Sequence, residues 1–455
     1  MALFGNFWHR YIVVDSNSQA VIGLAKMPLP AMKLIAFFLL FLLWTSGEAS
    51  AGGYAIPPQT ARAAAMGAAD TAGVDNPSAV YVNPAALTNI DGNQIMGGLT
   101  YINTISGIKN SDMKSRNIHD DDFLPNLFAN YHIPNSKITL GIGSYTPFGL
   151  ATSYKADSFT RFAAVRSELR TIFVTPAIAW EPLPYLSVGG GVSFVHSSAL
   201  LSRAIFFGPF GDGKIRVTDT DNGYAYNLGI LVKPNDRLQL GLTYRSNVNL
   251  TFDSANVKFA DAPAAGGLLT QTKASGIHVP LPRVINVGLH WQVNPKWGLE
   301  FEYNFTHWSE FGHLKANFSS PLPGLGGLAP ISGFFIPQNW KDTSTVRLGT
   351  SYRLNKSFEL RGGIGLDETP IPTSTLGPAI PGADYLTLTG GIGYTWEKLT
   401  IDLGYMAVFY KTRRVSNNVL ETGGDPSSLP FPGAPGADKY QTFQNLVAMH
   451  LRYRF

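Results

Sequence analysis

The sequence predicts an all-β membrane protein, a 14-stranded antiparallel transmembrane β-barrel closed around an N-terminal plug. Three observations carry that expectation. From Gln94 onward apolar residues recur every second position. The links between the alternating segments are by turns tight and long. No apolar run is long enough for a membrane helix, and an export signal precedes the whole.

The export signal comes first in the chain. Met32-Lys33 leads into eleven apolar residues, Leu34 to Trp44, and then into the small-residue pattern Ala49-Ser50-Ala51. Eleven residues rise only about 16 Å as a helix, against a bilayer core of about 30 Å. The segment reads as a signal peptide, 32–51, cleaved after Ala51. Residues 1–31 carry no targeting logic and are expected to be an upstream extension from a misplaced start codon.

Residues 52–93 read as the plug, or hatch. An alanine-rich patch is followed by two Asn-Pro pairs, Asn76-Pro77 and Asn83-Pro84-Ala85. Each proline removes a backbone donor and restricts the residue before it, so neither a long strand nor a long helix fits. Irregular backbone of this kind keeps its hydrogen bonds only if something encloses it.

Residues 94–455 supply the enclosure. Trp297, Leu299, Phe301, Tyr303 and Phe305 alternate with Gly298, Glu300, Glu302 and Asn304, and Leu238, Leu240, Leu242 and Tyr244 oppose Gln239, Gly241, Thr243 and Arg245. Such segments fall near 94–104, 124–132, 137–145, 170–180, 185–196, 225–232, 237–246, 283–292, 297–306, 345–353, 358–366, 386–395, 399–409 and 443–455. Tight links such as Ile133–Ser136 and Trp396–Lys398 alternate with long ones rich in Gly, Pro, Ser and Asp, such as Pro321–Pro337 and Gly423–Asp438. An even strand count, an apolar outside and two unequal rims are the marks of an outer-membrane barrel. Trp180, Tyr185, Trp396 and Phe455 suit the aromatic girdles, in contact with outer-membrane lipid and lipopolysaccharide. A terminal Phe455 on an alternating strand also suits recognition by barrel assembly machinery.

Other classes fit less well. A net charge of +4 with no basic block does not suggest nucleic acid. There is no cysteine, which excludes disulfides and thiolate metal sites. An outer-membrane lipase or deacylase would need a nucleophile and base, but His196, His278, His290, His307, His313 and His450 stand in no recognisable catalytic pattern. An adhesin or structural barrel would show longer or repetitive outer loops. No enzyme activity, metal or cofactor is expected.

The third strand runs into Thr146-Pro147-Phe148-Gly149. Proline cannot donate to a ladder and glycine marks bulges or close approach, so pairing should fail there, or an outer loop simply begins there.

Several stretches in order, Asn83-Pro84-Ala85, Leu124-Pro125-Asn126, Tyr145 to Ala151 (YTPFGLA), Asn304 to Phe311 (NFTHWSEF), Lys341-Asp342 and Asp367 to Pro372 (DETPIP), resemble the outer-membrane transporter family of the FadL/TodX type. The resemblance spans the mature chain. It implies passive uptake of hydrophobic molecules, long-chain fatty acids or aromatic hydrocarbons, by capture at the outer loops, a lumen site, plug movement and lateral exit. It implies a gate at Gly143, Pro147, Phe148 and Gly149. It also implies a basic pair for a carboxylate, Lys341 with Arg203, the latter in the loop region after the fifth strand, and an aromatic contact from Tyr54. A carboxylate anchor favours fatty acids; a neutral hydrocarbon needs none.

N-terminal sequencing of the exported protein should return Gly52 as the first residue; a mature chain that retains Trp8 or His9 would refute both the start site and the cleavage site.

Overall fold

The structure, a computed structural model, describes residues 53–110, 113–118, 121–206, 211–260, 271–322, 330–415 and 439–455. The expected upstream extension (1–31), the signal peptide (32–51) and the loop Gly423–Asp438 lie outside the described residues.

Fourteen wall strands run in chain order. They are β1 (Gln94–Asn110), β2 (Asp121–His132), β3 (Ile138–Tyr145, resuming at Gly149–Ser153), β4 (Arg166–Leu183), β5 (Leu186–Phe206), β6 (Asp212–Asn235) and β7 (Leu238–Arg245). The circuit continues with β8 (Val284–Asn294), β9 (Trp297–Thr306), β10 (Thr343–Arg353), β11 (Phe358–Asp367), β12 (Tyr385–Trp396), β13 (Leu399–Tyr410) and β14 (Lys439–Arg454). Every neighbour pair is antiparallel, and β1 pairs with β14 from Gln94↔Arg454 to Lys109↔Lys439, which closes the barrel. Closure removes the two sheet edges that hydrocarbon would leave unsatisfied at several kcal/mol per group.

The alternation sorts the side chains as the pleat requires. Leu240, Leu242, Leu348, Met449 and Leu451 are exposed on the outside, whereas Glu300, Glu302, Arg347 and His450 are buried on the inside. Tight turns close one rim; Asn135 and Glu397 adopt positive φ, +57° and +53°, to make two of them. At the other rim the long connections carry their own β-structure. Val248–Phe252 pairs with Ile277–Leu281, Ala255–Ala260 pairs with the outer part of β6, and His313–Leu322 pairs with Ile331–Pro337.

Strands β4 to β6 extend well beyond the bilayer at that rim. Pairing of β5 with β6 continues to Phe206↔Asp212, so Arg203 stands in a strand opposite Ile215 rather than in a loop as expected. Beyond the lipid no face needs to be apolar, so the period-two hydrophobic signal stops near His196 while the backbone ladder goes on.

Residues 53–93 fill the lumen. They form α1 (Ala61–Ala65), α2 (Ala79–Val82) and a 3-10 turn, Pro84–Asn89, all short. The plug backbone packs directly on inward glycines of the wall. A Cβ on Gly189 would lie 2.5 Å from Pro84, one on Gly241 2.6 Å from the Thr71 carbonyl oxygen, and one on Gly363 2.5 Å from the Met66 carbonyl carbon. Glycine is required there for close approach rather than for an unusual φ.

Gly363→Ala is therefore expected to weaken plug docking by about 1–3 kcal/mol, read as earlier protease nicking within residues 53–93. Gly390→Ala, whose added Cβ would find its nearest neighbour at 3.9 Å, should leave that rate unchanged.

Candidate functional site

The third wall strand breaks where the sequence places Thr146-Pro147-Phe148. Both halves of β3 pair with β4, but the register shifts by one across the break, from Tyr145↔Phe173 to Gly149↔Arg170. On the other side, pairing of β2 with β3 ends at Leu127↔Ser144. Residues Phe123–Asn126 of β2 pair with β1 and take no part in a ladder with β3 among the described residues. Pro125 and Pro147 stand on the two lips of this gap, as expected of residues without an N–H to offer a ladder. Gly143 lies below the break, paired on both sides. A Cβ there would meet the Phe128 ring at 2.6 Å, so it serves side-chain packing.

The start of the plug lies against the break. Ala55 bridges Phe148, the Ile56 N–H donates to the Pro147 carbonyl at 2.8 Å, and the Gly149 N–H donates to the Tyr54 carbonyl at 2.9 Å. These contacts hold Tyr54 in an aromatic cluster. Its ring centroid is 4.7 Å from that of Trp308, 5.4 Å from Trp340, 6.2 Å from Phe311 and 6.3 Å from Phe148. The buried Tyr54 hydroxyl donates to the Pro280 carbonyl, as a buried phenol must find a partner. The sequence reading missed the cluster as a unit, although the stretch from Asn304 to Phe311 carried two of its members.

Tyr54 separates two cavities. The outer one, about 160 Å³, is lined by Leu201, Phe252, Ile277, Phe334 and Ile336, with Arg203 among them. The other, about 570 Å³, runs past Pro57 and Pro58 to Leu124, Pro125 and Thr146 at the gap. Tyr54, Leu150 and Leu169 line both. Arg203 is 2% exposed, and its guanidinium sits 5.4 Å from the centre of the Phe334 ring, a cation–π arrangement worth more when dry.

Lys341 is not brought to the same cavity. Its side chain is exposed, and its backbone N–H donates to the Pro370 carbonyl at 2.9 Å. The next residue has the structural role. Asp342 accepts from the Ser309 N–H at 2.9 Å and pairs with His307 at 2.8 Å, which braces the loop holding Trp308 and Phe311.

Below the cluster the plug is held by the wall. Asn76 accepts from the Ser78 N–H at 3.1 Å, and Asn83 accepts from the Ala85 N–H at 3.1 Å while donating to the Thr71 carbonyl at 3.0 Å. Both Asn-Pro pairs thus supply the turn hydrogen bonds that proline withholds. Two inward carboxylates of β9 receive the next turn. Glu302 accepts from the Asp70 and Thr71 amides, each at 3.0 Å, and Glu300 from those of Ala72 and Gly73 at 2.8 and 2.9 Å. Arg62, itself buried, pairs with Asp70 at 3.2 Å and with Asp75 at 3.3 Å.

The profile of the family described as outer membrane protein transport protein (OMPP1/FadL/TodX) matches residues 42–455. Outer membrane protein P1 of Haemophilus influenzae is 24% identical over 438 residues, covering 85% of this chain and 92% of that one. The long-chain fatty acid transport protein of Escherichia coli O6:H1 is 26% identical over 368 residues, covering 72% and 80%. Among solved structures, a Pseudomonas aeruginosa FadL homologue superposes with a TM-score of 0.75 at 18% identity, covering 89% of this chain and 100% of that one. The Pseudomonas putida toluene transporter TodX gives 0.70 at 18% identity, covering 88% and 99%. At these identities the structures share the fold.

The plug network has a pH signature. Burial pushes the Asp70 carboxyl up to about 7 against the opposing pull of Arg62, with Glu300, Asp75 and Glu302 adding to the rise. In the undocked, solvated chain the same group titrates near 3.9. The docked state therefore holds a proton that the undocked state releases, and docking weakens as pH rises between about 4 and about 7. Protection of residues 53–93 from protease should fall across that window, and Asp70→Asn should flatten the profile; an unchanged profile in the variant would refute the assignment.

Proposed function

We propose, for a chain that belongs to the OMPP1/FadL/TodX family of outer-membrane transport proteins, that the ligand is a long-chain fatty acid held by its carboxylate at Arg203. The protein resides in the outer membrane of a Gram-negative bacterium and carries hydrophobic compounds across it. The single observation behind the finer reading is a buried arginine in a mostly apolar cavity at the outer rim, whose lining also holds Glu168 and Asp219. A carboxylate receives charge-assisted hydrogen bonds from a guanidinium fork, and these gain strength where water is excluded. The relatives named for long-chain fatty acid transport agree with it.

The two cavities support a path. Lys341, exposed at the rim, makes the first contact with the anion, and the outer cavity takes the head group. The hydrocarbon chain points at Tyr54, beyond which the larger cavity leads to the gap between β2 and β3. Burying sixteen carbons gains on the order of 10 kcal/mol at about 0.8 kcal/mol each, so release needs the pocket to change. The part that changes is the plug segment from Gly53 to Ile56, which separates the cavities, and the exit is the gap at Pro147, Phe148 and Gly149. Phe455 is exposed at the end of the chain, and presents the terminal aromatic to the assembly machinery.

A second reading rests on size. The outer cavity holds about 160 Å³, close to the roughly 150 Å³ apolar cavity known to take benzene. A single aromatic ring fills it without moving Tyr54. The structural relative TodX is named for toluene.

Binding of palmitate and of toluene to the purified barrel, in a detergent too bulky to enter, separates the two. Palmitate should bind, and Arg203→Ala should weaken it ten-fold or more, about 1.4 kcal/mol, with no effect on toluene. Lys341→Ala should lower the association rate and its salt dependence while changing equilibrium affinity less. Toluene binding without palmitate binding would replace the fatty acid by a neutral hydrocarbon.

A further inference from the structure

One side chain of the plug bonds to the edge of the gap in the wall. The Gln59 carboxamide accepts from the Thr146 N–H at 3.0 Å and donates to the Thr146 carbonyl at 3.0 Å. A primary amide sets a C=O beside an N–H as a peptide group does, so Gln59 offers Thr146 the pair of bonds that a neighbouring strand would. Continuing the β2–β3 register, in which Leu127 faces Ser144, brings Pro125 opposite Thr146. Pro125 has no N–H to give. The glutamine supplies what the proline cannot.

The same residue is tied to both sides of the gap and to the partition. Its carbonyl accepts from Asn126 Nδ2 on β2 at 2.6 Å, and its Nε2 also donates to the Ile56 carbonyl at 2.7 Å. Asn126 is in turn fixed by His450 of β14, whose Nε2 lies 2.6 Å from the Asn126 side-chain oxygen. His450 Nδ1 accepts from the Ala61 N–H at 3.0 Å, so the ring is neutral with its hydrogen on Nε2, donating to Asn126. Gln59, Asn126 and His450 are all buried. Pro57-Pro58 before Gln59 is stiff, and Thr60 after it caps α1 by accepting from the Ala63 N–H at 3.1 Å. The side chain is thus presented from a rigid mount.

We propose that Gln59 is the latch of the lateral opening, a positioning residue that completes the broken ladder and makes movement of the Tyr54 partition and opening of the wall a single event. The chain cannot draw Tyr54 and Ile56 away from the break without pulling on Gln59, and Gln59 cannot leave Thr146 without unsealing the gap. This rests on the lateral exit proposed above.

The test uses the reconstituted full barrel. In Gln59→Leu, hydrogen exchange at the Thr146 amide should quicken at least ten-fold while the Leu140 amide, lower on the same strand, is unchanged. Adding Pro125→Ala restores an N–H on β2, and should recover Thr146 protection while slowing palmitate release, because the ladder then closes without the plug. An unchanged Thr146 rate in Gln59→Leu, equal acceleration at Leu140, or failure of Pro125→Ala to restore protection would each overturn the latch. Faster Thr146 exchange with palmitate uptake identical to wild type in both variants would keep the latch as the seal and remove the lateral exit.

Discussion

In hydrocarbon a backbone hydrogen bond has no substitute in water, and the whole wall is built to honour that constraint. Pairing of β1 with β14 leaves no free edge, and thirteen further strand contacts around the circuit follow the same rule. An interruption in such a wall is tolerated only where other groups take over the ladder. At the break in β3 the substitutes come from the plug: the Ile56 amide for Pro147, the Tyr54 carbonyl for Gly149, and the Gln59 carboxamide for Thr146. The defect in the wall and the segment in the lumen are one structure, since neither satisfies its polar groups alone.

Three kinds of contact hold the plug, one of them the apolar packing of Val74, Val80, Leu87 and Ile90 in the core. Inward glycines let its backbone approach the wall to van der Waals distance, and inward carboxylates of β9 accept the amides of Asp70 to Gly73. Neither of these two depends on apolar area. A plug seated mainly by hydrophobic burial would be costly to shift, whereas hydrogen bonds to carboxylates can be exchanged for bonds to water or to a neighbouring group at a net cost of order 1–3 kcal/mol each.

Those cavities differ in character. The outer one is mostly apolar, with the buried Arg203 and the carboxylates of Glu168 and Asp219 in its lining, under a cover of loop strands that carry Phe252, Ile277, Phe334 and Ile336. The other is larger and opens toward the lips of the gap. A ligand passing from one to the other must go by the Tyr54 ring, which is locked by four aromatic neighbours and a hydroxyl bond. On the proposed path, orientation at the outer rim and release at the wall fall to separate places joined by the first residues of the plug.

The wall was legible in the sequence because the pleat and the bilayer impose the same period. Residues such as Leu348 and Arg347 must face opposite media, and that leaves a pattern independent of their neighbours. The break was legible only in part: Pro147 cannot serve a ladder anywhere, but the start of an outer loop would read the same, and the strand resumes at Gly149–Ser153. What the pattern could not reach is everything that depends on which non-adjacent residues meet. Arg203 seemed to lie in a loop because, outside the lipid, a strand needs no apolar face. Lys341 and Arg203 were expected together but occupy different surroundings, because loop strands decide what covers the lumen. Gln59, Asn126 and His450 carry no local signal at all: they lie on the plug, β2 and β14, and only closure of the circuit brings them within hydrogen-bonding distance. The sequence by itself determined the barrel and its two rims, since those follow from periodicity, and marked Pro147 without deciding between a break in the wall and the start of a loop. Tertiary structure alone decided what seals the defect, because a seal is made by residues far apart in the chain whose meeting no period encodes.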